Sequence, residues 1–120
     1  MKSRKEIMDI ISQANSSEYY HKFSSIVGFP VITDGVLALA EVAGCYWLLD
    51  VIGSYQRDER LCTSFQVWKL EVDLEKQSGV VYGMNDDIEI IRQELEYTDF
   101  PLEEVKLYLI DGVILLPNEY

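Results

Sequence analysis

Basic residues, histidine and cysteine are all scarce in this chain. Ten Lys and Arg stand against 21 Asp and Glu in 120 residues, a formal net charge of −11. That balance argues against non-specific binding to nucleic acid or to anionic lipid, because affinity for phosphate is drawn from Lys and Arg. It permits the reverse, docking onto a basic surface, including that of a nucleic-acid-binding protein. With His21 as the sole histidine, a Ser–His–Asp or Cys–His arrangement has only that residue to use. Ser16, Ser17, Ser24 and Ser25 fall in a loop stretch without a nucleophile-elbow pattern. Cys45 and Cys62 form no CxxC and are too few for a zinc site. Cys45 lies in an apolar run and reads as a buried thiol, weak as a nucleophile; a reducing, cytoplasmic compartment fits it best. Glycines are dispersed, with no GxGxxG or Walker-type loop to cradle phosphate. Long apolar runs are missing too. Val36 to Ile52 is interrupted by Glu41 and Asp50 and is shorter than a comfortable membrane span. The opening MKSRKEIMDIIS lacks the continuous apolar core of a signal peptide. The expectation is a non-enzyme with no cofactor, no metal, no membrane contact and no direct contact with nucleic acid.

What is present is a core. The chain is 48% hydrophobic, with eight Tyr, four Phe and two Trp, unlike a disordered chain. At this length roughly two-thirds of the unfolded surface can be buried, so residues 1–120 suit one domain. Ser3 and Glu6 have capping-box spacing, and Ile7, Ile10, Ile11 and Ala14 form a helical stripe ended by Asn15-Ser16-Ser17. Residues 16–32 read as an ordered loop packed over the core, with Tyr19, Tyr20, Phe23, Ile26, Val27 and Phe29 too apolar for a linker. A second helix starts at Thr33-Asp34-Gly35 and runs through VLALAEVAGCYWLLDVIGSYQ, apolar around nearly its whole circumference. The period then switches to two. Trp68, Leu70, Val72 and Leu74 share one strand face, with Val67, Lys69, Glu71 and Asp73 on the other. VVYGM and IEIIRQELEYTDF follow as strands, and VKLYLI-DG-VILLP as a hairpin buried on both faces. Helices first and strands after imply an α+β fold: two N-terminal helices on one face of a four- to five-stranded, mainly antiparallel sheet.

The acids cluster. Asp86, Asp87, Glu89, Glu94, Glu96, Asp99, Glu103 and Glu104 fall in one window in which Arg92 is the only base. Asn85-Asp86-Asp87 lacks EF-hand spacing, and a solvated strand face is the plain explanation. The functional alternative is a negative docking patch of Glu94, Glu96, Asp99, Glu103 and Glu104, with Tyr97 as an aromatic anchor. Strand carboxylates two residues apart are separated by about 7 Å, a spacing able to imitate a phosphate line. A competing reading is a small-ligand or weakly hydrolytic pocket lined by His21, Tyr46, Asp50, Tyr97 and Asp99. A third is a homo-oligomer in which the terminal LPNEY segment pairs as an edge strand. Within YTDFP, Asp99 can close an Asx-type turn, Phe100 and Tyr97 can staple the corner to the core, and Leu102-Glu103-Glu104 can form a short helix.

The stretches SSEYYHKF, ITDGVLALAEVAGCYWLLDVIGSYQ, FQVWKL, YTDFPL and LPNEY resemble a family of small uncharacterised proteins of bacteria, notably cyanobacteria, and of phages. The resemblance spans most of the chain and implies one compact domain. It brings no reaction, cofactor or catalytic residue; a phage or mobile-element setting would suit an anti-defence or regulatory role.

Overall fold

The structure is a computed structural model describing residues 4–13, 19–26, 28–62 and 64–120. It contains α1 (Arg4–Gln13), β1 (Tyr20–Lys22), β2 (Val31–Thr33), α2 (Asp34–Ala43), α3 (Tyr46–Ser54), β3 (Gln66–Asp73), β4 (Ser78–Asn85), β5 (Ile88–Leu95), β6 (Glu104–Ile110), β7 (Val113–Leu115) and a terminal 3-10 turn, Pro117–Glu119. The seven strands form one sheet ordered β1-β2-β7-β6-β3-β4-β5. All neighbours are antiparallel except β2 and β7, which run parallel. The α+β class is as expected; the sheet is larger and mixed.

The long strands follow their sequence period. On β3, Gln66, Trp68, Leu70 and Val72 are buried while the residues between them are less so. Val81 on β4, Ile91 on β5, Val105, Leu107 and Leu109 on β6, and Ile114 on β7 join the same core. α3 packs on this face: Tyr55 stacks on Trp68 at 6.0 Å, and the Gln56 and Gln66 amides exchange hydrogen bonds of 3.0 and 2.9 Å. Gln66, fully buried, also accepts from the Trp68 indole and donates to the Cys62 carbonyl. Trp68 lies so close to Gly83 that a Cβ there would stand 2.6 Å from the ring.

Several expectations need correcting. The second helix is two helices. Gly44 sits in the left-handed region (φ 64°, ψ 37°) and its amide bonds back to Ala40 O, a C-cap that stops α2 before α3 begins. An apolar circumference does not reveal such a break. The stretch read as a loop holds β1 and the start of β2, three residues each and too short to show a period. Phe23 and Phe29 pack together at 6.0 Å, but Tyr19 and Tyr20 are exposed rather than packed on the core. The Ser3 cap, Ala14, the Asn15-Ser16-Ser17 stop and Val27 lie outside the described residues. The Asp111-Gly112 turn forms as expected, both residues at positive φ (48° and 82°). Its strands, however, are fully buried on one face only. LPNEY holds a 3-10 turn rather than an edge strand, and β7 just before it lies between β2 and β6.

The YTDFP corner is held by Thr98. Its amide donates to Gln77 O (2.8 Å) and its hydroxyl accepts from the Phe100 amide (3.2 Å). Phe100 is the staple, 1% exposed, and burying a ring of that size contributes about 2–3 kcal/mol. Tyr97 is 66% exposed and does not join it. The chain bends through Pro101–Glu103 into β6 without a helix.

Candidate functional site

Along the long strands the residues between the core-facing ones are half-buried or exposed, which leaves a second, more open sheet face, and strand register decides what that face displays. Tyr108 of β6 stands opposite Val67 of β3, which stands opposite Met84 of β4. One step along, Lys106, Lys69, Tyr82 and Arg92 align across β6, β3, β4 and β5. The next row is Glu104, Glu71, Val80 and Glu94. The open face is therefore banded: apolar, then cationic around an aromatic ring, then acidic.

Tyr82 is flanked by Lys69 Nζ at 5.5 Å and the Arg92 guanidinium at 5.6 Å from its ring centre. Lys69 also reaches Glu71 at 3.3 Å and Arg92 reaches Glu94 at 3.7 Å, joining the cationic and acidic bands. Directly across the β3–β6 ladder, though, like faces like: Lys69 opposite Lys106, Glu71 opposite Glu104. Like charges so placed destabilise a sheet.

Of the acidic residues singled out from sequence, Glu94 and Glu104 share the acidic row, while exposed Glu96, Tyr97, Asp99 and Glu103 lie in the connection between β5 and β6 at the same end of the sheet. Sequence reasoning missed Glu71 and Asp73 as members; they belong to another segment, and only the antiparallel register adds them. A shallow groove of about 420 Å³ runs there, lined by Glu71, Val72, Asp73, Ser78, Gly79 and Val80. Tyr82, Lys69 and Lys106 were missed for the same reason.

The alternative pocket does not assemble. His21 is on β1 at one end of the strand order, whereas Tyr97 and Asp99 follow β5 at the other. Tyr46 and Asp50 are exposed on α3, and the Tyr46 phenol, 3.5 Å from Glu41, has its pKa pushed up by partial desolvation and then by that carboxylate. Among the described residues no group of three or more His, Cys, Asp or Glu is placed to hold a metal ion, and no helix is long and apolar enough to cross a membrane.

His21 belongs instead to a polar cluster at the start of α2, its Nε2 2.6 Å from Asp34 Oδ1. Beside it, the Glu119 carboxylate accepts from the Thr33 hydroxyl (2.6 Å), the Gly35 amide (3.3 Å) and the Leu116 amide (2.9 Å). Thr33 caps the Val36 amide in turn. Asn118 Nδ2 donates to the Ile11 and Ser12 carbonyls at 3.0 and 2.8 Å, tying the same tail to α1. The TDG and LPNEY motifs are thus two halves of one clamp, in which the chain's own carboxylate occupies a helix N-terminus.

A second aromatic group, Phe65, Tyr108 and Tyr120, has ring centres 5.2–5.9 Å apart. Phe65 and Tyr120 border a groove with Cys62, Asn85 and Asp86. The exposed Cys62 thiol is held below its ordinary pKa, chiefly by the Ser64 hydroxyl. The other thiol, Cys45, is buried, with its Sγ 3.9 Å from the Leu39 carbonyl. Asp58 is lowered to about 2 by its bonds from Arg60, an exposed local pair.

No curated protein and no solved structure matches the chain. A family model does match, over residues 5–120, which takes in both halves of the clamp and the whole banded sheet: the chain belongs to the family of unknown function DUF6876.

Proposed function

We propose that this chain is a non-enzymatic interaction protein that presents the acidic end of its open sheet face to a basic protein. What carries the reading is the placement of Glu104 directly opposite Glu71, with Glu94 in the same row, on the sheet face where these carboxylates are half-buried or exposed. Exchanging Glu104 and Lys106 would have paired opposite charges at no cost in composition. A sheet that forgoes that pairing holds Glu71 and Glu94 only through solvent-accessible contacts to Lys69 and Arg92, which an external cation can replace. The partner is met by electrostatic steering and then by docking around the acidic groove, with the apolar and aromatic bands alongside as the dry part of the contact. A nucleic-acid-binding protein offers a surface of this kind, and an anti-defence or regulatory role by imitation of phosphate follows from it.

The test compares the wild-type chain with a Glu71→Gln/Asp73→Asn/Glu104→Gln variant, immobilised side by side and exposed to native-host extract. A basic protein held by the wild type, released by salt and not held by the variant is the expected result. Equal retention by both would sink the reading.

A further inference from the structure

The two ends of the sheet are unlike. β1 is three residues long, whereas β5, at the other end, is eight. A long edge presents unpaired backbone amides and carbonyls and is ordinarily blunted. β5 is blunted at one end only. Its register with β4 slips between Gly83 and Met84, which pair with Ile91 and Glu89, so Ile90 is the extra residue of a bulge. From Ile91 to Leu95 the strand is regular, and Gln93 is its midpoint.

We infer that this edge pairs with the same edge of a second copy, antiparallel about a twofold axis at Gln93. A twofold that continues the sheet with both helical layers on one side pairs residues of like facing. Within the regular stretch few registers qualify. Centring on Arg92 sets Arg92 against Arg92 and Ile91 against Gln93. Centring on Glu94 sets Glu94 against Glu94 and Gln93 against Leu95. Centring on Ile91 or Leu95 runs into the bulge or off the strand. Centring on Gln93 gives Ile91 against Leu95 on the core face, Arg92 against Glu94 on the open face, and the two Gln93 amides against each other, with the first two pairs made twice. Charge sign and polarity match at all five positions.

The side chains are available for this. Arg92 and Glu94 are 53% and 78% exposed, and the contact they make within one chain is loose, at 3.7 Å. Gln93 is kept in place from the helical side by the Tyr55 hydroxyl, 2.7 Å from its Oε1. Five residue pairs make a small interface, so the dimer forms at high protein concentration. Glu71, Asp73 and Glu104, the residues changed in the docking test, lie on other strands, so the two readings stand or fall separately.

Sedimentation equilibrium of the whole chain at rising concentration reads the dimer directly. The expected result is a mass climbing toward twice that of the chain. Arg92→Glu alone and Glu94→Arg alone each put like charges across the axis and should abolish dimerisation. The double exchange, Arg92→Glu with Glu94→Arg, restores opposite signs and should recover it. Both positions of change are on the surface, and circular dichroism checks that each of the three variants is folded. A wild type that stays monomeric throughout overturns the inference, as does a dimer indifferent to the single changes or one that the double exchange does not recover.

Discussion

Glu119 shows how much one side chain can settle. Three donors from two distant segments converge on its carboxylate, and the α2 N-terminus would otherwise leave the Gly35 amide to water. Gly35 belongs to the same device: a Cβ there would stand 2.9 Å from the Glu119 carboxyl atoms. Glu119→Ala is expected to destabilise the fold by about 2 kcal/mol, the range for losing charge-assisted bonds at a partly buried site. Gly35→Ala should cost part of the same energy by displacing the carboxylate. Because the two changes damage one interaction, the double variant should cost less than the sum of the singles. Urea denaturation of the four proteins checks this, and strict additivity would show that Gly35 and Glu119 act apart. The motifs were visible in sequence, but 84 residues separate Gly35 from Glu119, and nothing in either reveals that they touch.

Elements divide by how far their signal reaches. β3, β4 and the β6–β7 hairpin were legible because alternation and Asp-Gly turn chemistry are local; β5 was legible as a strand, but it ends at Leu95 and not at Phe100. β1 and β2 were not, since three residues carry no period and their pairing depends on β7, more than 80 residues on. The helix break is written at Gly44, but an all-apolar helix gives no change of face to mark an end. Two of the three acids in the row were legible, Glu94 and Glu104; the third, Glu71, needs the β3–β6 register. That register also yields a prediction at this scale. Glu104→Lys combined with Lys106→Glu leaves net charge and composition unchanged, yet sets opposite signs against Lys69 and Glu71. Stability should rise by about 0.5–1 kcal/mol, the sum of two modest cross-strand pairs less the diagonal attractions given up. Chemical denaturation at low salt measures it. No gain, or a loss, would mean that the present opposition of like charges carries no cost, which would remove the main support for a face kept ready for a partner.

At the scale of the molecule, a net charge of −11 on 120 residues makes the fold work against its own field. Strand order decides where that repulsion gathers: β6, β3 and β5 bring carboxylates from sequence-distant segments to one end of the open face, and among the described residues Lys69 and Arg92 compensate Glu71 and Glu94 through solvent-accessible pairs worth little. Added salt screens the repulsion more than it weakens such pairs, because at about 0.15 M the screening length is roughly 8 Å, shorter than the distances over which the acidic band acts as a whole. The midpoint of thermal unfolding should therefore rise with ionic strength. Replacing Glu71, Glu94 and Glu104 together by Gln should raise the low-salt midpoint as well, and the gap between variant and wild type should close as salt is added, since both changes relieve the same strain. Thermal melts of the two proteins across a salt series decide the matter. A variant that melts lower than wild type at low salt would show that these carboxylates hold the sheet together, and a structural role of that kind is incompatible with a row of acids held in reserve for a basic partner.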